Sequence, residues 1–553
     1  MSDPVRDAAV EISQLMQKGD SAEACDRAEL LVEAHPESRI ARQVAAAAAL
    51  QDEDPETGLI HLLWLLKRDP EDVERLRQVA TVLLDMKRMA KAEPYLRLAM
   101  GKEPKRPDLH IDLARSLASQ KKHAEAAHHY RVAMELDPDN EITPENLIFI
   151  LDFIPEEDTA RQQLERRRWY ERFVEPNVEA KTYDPAEADP DKPVLRIGYV
   201  SGDFKLHSAA RIFGPMIRDY DRERFEVYCY HTEPDEDEET ERYQAAATEF
   251  RMVSQYDYGG LTNLIRRDAP DILVDLSTFT RGGRLETFAR RAAPVQISAW
   301  GHCHGTGLPT MDYLFSDKNC IPAEERSLFS ETIVDLPCVI TFAPEDGLPD
   351  VSDAPFRRNG YITFGSFNRM EKLTAESLAL WCRVLAAVPG SRLLLKAGGF
   401  ETAVERDRVW QALQSAGLDP NRVTMAGSTE RDIHLTAMSD CDIGLDTYPH
   451  GGGMTTCEML WMGVPVIALR GRAVAGRVSS SVLSTLGLDD LVADHPDTYV
   501  SAAQALAADP DRLLDLRREM RSRMTTSPLL GIERYVRAVE DIYFRLWRDW
   551  AAG

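Results

Sequence analysis

Apolar positions in the first quarter of the chain recur at helical spacing, in blocks separated by short polar turns. From about Val194 onward they collect instead into short continuous runs that alternate with amphipathic helical stretches. The first pattern predicts a purely helical region and the second an alternation of buried strands and covering helices.

The helical region carries an internal period. A proline follows a mostly acidic residue at His35-Pro36, Asp69-Pro70, Glu103-Pro104 and Asp137-Pro138, 34 residues apart each time. Twelve positions before each proline stand Ala24, Gly58, Ala92 and Ala126, small enough for two helices to approach closely. Eight before stand Ala28, Leu62, Leu96 and Tyr130, and five before Leu31, Leu65, Ala99 and Ala133, so one helix face is apolar in every period. A 34-residue helix–turn–helix period is that of the tetratricopeptide repeat (TPR), an α-solenoid whose curved surface binds peptides or proteins. The array spans 1–140. Residues 141–192 then read as a helical extension followed by an acidic linker containing Pro176, Pro185 and Pro190.

Apolar runs at 195–200, 225–230, 272–276 and 295–300 form one block, and runs at 362–367, 391–396, 423–425, 443–445 and 465–469 a second. A Pro- and Asp-rich stretch near 343–358 separates them. Strand–helix alternation gives parallel sheets covered on both faces, with ligands at the carboxyl ends of the strands. The expected architecture is an α-solenoid followed by two Rossmann-like lobes, 193–345 and 359–553, the α/β arrangement called GT-B.

Composition narrows the function classes. With 92 acidic and 66 basic residues the net charge is −26, which speaks against non-specific nucleic-acid binding. No apolar run approaches the length of a membrane span, and the N-terminus lacks the basic and apolar regions of a signal peptide. None of the eight cysteines forms a CxxC pair, so a reducing, cytoplasmic setting is expected.

The segment from Asp446 to Trp461 carries the chemistry. A strand (443–445) runs into a glycine-rich turn, then Thr455 and Thr456, then an amphipathic helix. Glycines allow close backbone approach, and the helix start offers N–H groups and a positive dipole end to a phosphate. Glu458, one turn in, can accept bonds from ribose hydroxyls.

Several stretches together resemble the O-linked N-acetylglucosamine transferase (Spindly-type) family of protein O-glycosyltransferases, in a form like its bacterial members. They are Arg196-Ile-Gly-Tyr-Val-Ser-Gly-Asp-Phe204 with His207; Asp271-Ile-Leu-Val-Asp-Leu276; Ala293-Pro-Val-Gln296; Met311-Asp-Tyr313; Phe364 to Lys372; the glycine-rich segment; and Ser527-Pro-Leu529. The resemblance makes 359–553 the nucleotide-sugar-binding lobe. It places His207 near acceptor and sugar as a catalytic residue, and Lys372 on the donor diphosphate. His434 falls beside the nucleoside, with Arg431 where a base-contacting lysine is expected. Gly453, Thr455 and Thr456 match the diphosphate cradle, and Glu458 the position of a ribose-binding aspartate.

Two departures stand out. Arg369 replaces a glutamine in Phe367-Asn-Arg-Met-Glu-Lys372, which adds a donor-site cation, and Gly301-His-Cys-His-Gly-Thr306 replaces a Gly-Tyr-Pro-Gly-Thr turn. His302, Cys303 and His304 invite a metal reading. Adjacent residues rarely point together, however, and no further ligand stands at a suitable spacing, so no metal and no cofactor are expected. Asp440 and Asp442, spaced like a metal-binding DxD, are expected to end a helix.

The resemblance implies transfer of a sugar from a nucleotide sugar, UDP-N-acetylglucosamine or a similar donor, to Ser or Thr of a protein held by the repeat array. Two other readings stay open. One is a flagellin glycosyltransferase using another activated sugar, such as a CMP-nonulosonic acid. The other is an inactive TPR scaffold.

Overall fold

The computed structural model describes residues 3–140, 142–302, 304–345 and 347–553. The chain divides into two units, Met1–Ile150 and Leu151–Gly553.

The first unit is built of helix pairs: Pro4–Lys18 with Ser21–Ala34, Arg39–Gln51 with Pro55–Arg68, Val73–Asp85 with Met89–Lys102, and Pro107–Ser119 with His123–Leu136. Each second helix stops at the residue before the periodic proline. His35, Asp69, Glu103 and Asp137 take φ of −135°, −140°, −126° and −131°. The proline ring disfavours helical backbone at the residue before it, so the sequence period becomes a structural one. The small and apolar positions picked out above are buried: Ala24, Ala92 and Ala126 are fully enclosed and Leu62, Leu65 and Leu96 nearly so. A second period was not visible in the sequence. The turn inside each pair holds one left-handed residue, Gly19, Glu53, Lys87 and Lys121, at φ of 85°, 59°, 56° and 66°. Only the first is glycine, so residue type gave no signal.

The second unit holds two parallel sheets. The first orders its strands β3-β2-β1-β4-β5-β6-β7, where β1 is Leu195–Ser201, β2 Phe225–His231, β3 Glu249–Met252, β4 Ile272–Asp275, β5 Val295–Ser298, β6 Tyr313–Ser316 and β7 Thr332–Asp335. The second orders them β10-β9-β8-β11-β12-β13, where β8 is Thr363–Ser366, β9 Arg392–Lys396, β10 Val423–Ala426, β11 Ile443–Leu445, β12 Val466–Leu469 and β13 Val492–Ala493. Strand order reverses between β1 and β4 in one sheet and between β8 and β11 in the other. The loops leaving those strands diverge and open a crevice.

Two boundaries differ from those read in the sequence. The stretch 141–192 is not one segment, because the chain from 151 belongs to the second unit. There helix Thr159–Trp169 lies along the turn Ala323–Leu328. The acidic linker is tied to the first lobe by Lys181 N–H to Arg290 O (3.1 Å) and by Lys192 Nζ to both oxygens of Asp271 (2.7 Å each). The C-terminal lobe likewise ends before 553. After Leu529, whose carbonyl accepts from Phe342 N–H, helix Ile532–Ala551 packs on the first lobe. It is anchored by Tyr543 to Tyr199 (3.2 Å) and by Trp547 to Asp189 O (2.9 Å). Its apolar face explains the docking, since Tyr535, Val536, Val539, Tyr543 and Trp547 are all buried.

No helix among the described residues is long and apolar enough to cross a membrane.

Candidate functional site

Most of the predicted site residues follow the switch-point strands, whereas Arg431 and His434 lie on helix Arg431–Met438, after the edge strand β10. His207 follows β1, Arg369 and Lys372 follow β8, and Gly453 to Glu458 follow β11. A cavity of about 170 Å3 is lined by His207 and Arg211 from the first lobe and by Met454, Thr455 and Glu458 from the second. A larger one, about 960 Å3, is lined by His207, Arg211, Glu345 and Arg431 among others.

His207 is half-exposed. Its Nδ1 stands 3.4 Å from Asp203 Oδ2 and accepts from Ala209 N–H at 3.3 Å. Burial raises the Asp203 pKa, and the neighbouring His207 and Lys205 oppose the rise. A carboxylate beside the imidazole can hold its orientation.

The turn after β11 is organised by a residue to which no role was assigned in the sequence. Asp446, 3 % exposed, accepts from Gly452 N–H (2.8 Å) and from Asn368 Nδ2 (3.3 Å). Burial raises its pKa, opposed by a bond from Ser479 and by the Gly452 N–H. Ser479 joins in, donating to Gly452 O (2.7 Å) and lying 3.1 Å from Thr456 Oγ1. The glycine requirement falls at Gly452, where a Cβ would meet Thr456 Oγ1 at 2.5 Å. At Gly453, the N-cap of helix Met454–Trp461, the nearest contacts would be ordinary, at 3.6 Å.

Lys372 lines neither cavity. It ends the short turn Met370–Lys372 and is buried, with Nζ donating to Gly451 O at 2.5 Å. Burial, and then the Arg369 guanidinium, lower its pKa to about 7. Arg369 itself is exposed. His434 packs its ring edge-on against Phe367, centroids 5.7 Å apart, and burial lowers its pKa to about 4.

Glu458 is engaged by two arginines, Arg431 at 2.7 Å and Arg211 at 3.4 Å, both of which also reach Glu345 (3.5 and 3.0 Å). This four-residue ion cluster spans both lobes. Burial raises the Glu458 pKa against the two cations. Arg211 and Glu345 escaped the sequence reading. Arg211 stands four positions after His207, a spacing that could have flagged it.

The objection to a metal at 302–304 fails on geometry. His302 Nε2 and His304 Nδ1 both point at Asp152 Oδ2, at 3.3 and 3.0 Å, and all three residues are buried. The two rings converge because they alternate along a sharp turn, and the third group comes from 150 residues upstream, beyond any local spacing rule. Cys303 lies outside the described residues. Asp440 and Asp442 do not end a helix, since helix Arg431–Met438 closes at Ser439; Asp442 instead accepts from Phe356 and Thr363 N–H at 2.9 and 2.8 Å, tying the start of β8 in place.

Two Rossmann-like lobes facing one another, with a glycine turn and helix start at the second lobe's switch point, define a GT-B-type protein. The chain belongs to glycosyl transferase family 41, whose sequence profile matches residues 178–343 and 356–539. It is 34 % identical over 426 residues to a probable UDP-N-acetylglucosamine–peptide N-acetylglucosaminyltransferase SPINDLY of Solanum lycopersicum, covering 76 % of this chain and 46 % of that protein. The Arabidopsis thaliana protein of the same description is 33 % identical over 425 residues, with coverage of 76 % and 46 %. The chain thus spans about half the length of these curated relatives. A solved structure of a mutant Thermobaculum terrenum O-GlcNAc transferase aligns with TM-score 0.77 and 32 % identity, covering 93 % of this chain and 98 % of that one.

Proposed function

We propose that this chain transfers a sugar from a nucleoside-diphosphate sugar to a Ser or Thr hydroxyl of a protein, with UDP-N-acetylglucosamine as the donor. The observation that carries the reading is the small cavity joining His207 of one lobe to Thr455 and Glu458 at the helix start of the other. An acceptor near His207 and a diphosphate at the helix start would then share one cleft. Family membership, and the donor and peptide named in the relatives' descriptions, support the same assignment.

The reaction is a direct displacement. The acceptor oxygen attacks the anomeric carbon as its bond to the diphosphate oxygen breaks, and the nucleoside diphosphate leaves. The hydroxyl proton passes to His207, held by Asp203, or to the departing phosphate. The helix N-terminus, Thr455 and Lys372 stabilise the charge on the leaving group, once the Lys372 ammonium swings from Gly451 O to the phosphate. Arg431 and Arg211 hold Glu458 where a ribose would lie. The repeat unit supplies the protein-binding surface.

The exposed Arg369 beside Lys372 favours a second reading, an acidic sugar carried by CMP and transferred to flagellin. The test is incubation of the full chain with each donor and an array of acceptor proteins that includes flagellin, read by intact mass. A hexosamine mass increment on Ser or Thr supports the first reading. A nonulosonic increment supports the second, and hydrolysis or transfer of neither overturns both.

A further inference from the structure

The buried cluster Asp152–His302–His304 lies outside the donor cavities, and no step above uses it. From its geometry we infer that it is a binding site for a divalent first-row transition-metal ion of the zinc class, with Asp152, His302 and His304 as ligands.

Four observations carry the assignment. The ligand atoms of the three residues lie within 4.8 Å of one another. In a tetrahedral site with metal–ligand bonds near 2.0–2.1 Å, neighbouring ligand atoms stand about 3.3 Å apart. The distances to Asp152 Oδ2, 3.3 Å from His302 Nε2 and 3.0 Å from His304 Nδ1, match that spacing without rearrangement.

The second observation is the outer contact of His302. Its other nitrogen, Nδ1, lies 2.6 Å from Thr278 Oγ1, which also reaches His302 O at 3.3 Å. With the hydroxyl proton given to that carbonyl, Nδ1–H donates to Thr278 and the Nε2 lone pair faces Asp152. Two electron-rich atoms then face one another, an arrangement a cation between them resolves. A fixed partner on the distal nitrogen is the usual support for a metal-bound imidazole.

Third, Asp152 Oδ1 has no hydrogen-bond partner among the described residues, although Asp152 is only 4 % exposed. Leaving a buried carboxylate oxygen unpaired is costly, and a bound cation removes that cost.

Fourth, the turn is shaped to present both rings. A Cβ on Gly301 would stand 1.8 Å from Leu276 O, and Gly305 takes φ +86°. Only glycine permits that close approach and that left-handed backbone, and together they bring His302 and His304 to one side.

Two imidazoles and one carboxylate suit zinc, and also iron(II), and leave a coordination position open. A further imidazole, His450, has its ring centroid 6.4 Å from that of His304, and its Nδ1 has no partner among the described residues. A metal here would fasten the segment ahead of helix Thr159–Trp169 to the turn after β5.

The test is metal analysis of the purified full chain, followed by chelator treatment and titration with Zn2+ (calorimetry) and Co2+ (visible absorption). About one equivalent per chain, a tetrahedral-type Co2+ band and a rise in Tm on reloading are expected. Affinity should fall at least about 100-fold in His304→Ala, and about 10- to 100-fold in Thr278→Val, which keeps all three ligands. Absence of saturable Zn2+ or Co2+ binding to the wild-type chain overturns the assignment. So does unchanged affinity in a folded His304→Ala variant.

Discussion

At Lys372, burial and the nearby Arg369 guanidinium hold the pKa down to about 7, against the pull of Asp446, Asp152 and Glu371. A diphosphate placed against the ammonium favours its charged form, so donor binding takes up a proton wherever the free protein has lost it. Affinity for a UDP-sugar is therefore expected to fall as pH rises from 7 to 9, by at most about tenfold per pH unit. Calorimetry across that range checks this, and the Lys372→Met variant should show a flat profile. The sign for stability is separate. The unfolded lysine keeps its proton up to its ordinary 10.5 whereas the folded one loses it near 7, so this group makes the unliganded protein more stable as pH rises between those values. Beside it, Gly452 and Gly453 behave differently. Gly452→Ala drives a Cβ into Thr456 Oγ1 at 2.5 Å and should cost about 1–3 kcal/mol, whereas Gly453→Ala meets ordinary contacts and should cost less than about 0.5 kcal/mol. Denaturant midpoints of the two variants decide it. The family resemblance marked Gly453 for the cradle. The steric demand lies one residue earlier, set by the inward turn of Thr456 toward Ser479, which no local pattern reveals.

At the scale of elements, the repeat was legible because each proline acts on its own neighbour. The helix must end before it, and the apolar positions counted back from it are those that bury. The strands of the second unit were legible as apolar runs because parallel strands covered on both faces need no polar alternation. The left-handed turn residues were not, since three of the four periods place Glu or Lys there. A side chain with a Cβ in that conformation is strained by roughly 1 kcal/mol. Lys87→Gly should therefore stabilise the first unit by about 0.5–1 kcal/mol, seen as a higher unfolding midpoint. An unchanged or lower midpoint would mean that the turn is not strained there.

For the whole molecule, contacts between distant segments were the illegible part. The last helix reads as the end of the second lobe but covers the first, because its apolar stripe fits the face that β1 and β2 leave open, with Phe225 against Phe544. Arg477 and Glu325 stand 152 positions apart and pair at 2.8 and 2.7 Å across the lobes, the guanidinium 6 % exposed. Removing that partner takes the ion pair from Glu325, so Arg477→Met should destabilise the second unit by about 1–3 kcal/mol and loosen the cleft, checked by denaturation and by donor affinity. The Asp152–His302–His304 cluster belongs to the same class of long-range contact. Spacing rules searched near the histidines, whereas the carboxylate arrives from the start of the second unit.

The central claim is that the turn from Asp446 to Glu458 holds a nucleoside-diphosphate sugar with the help of Lys372. Titration of the full chain with UDP-N-acetylglucosamine, competed by UDP and repeated with Lys372→Met, tests it most directly. The account predicts saturable binding that UDP displaces, weakened at least about tenfold in the folded variant. Absence of binding by the wild-type chain, or equal affinity in the two proteins, would contradict it.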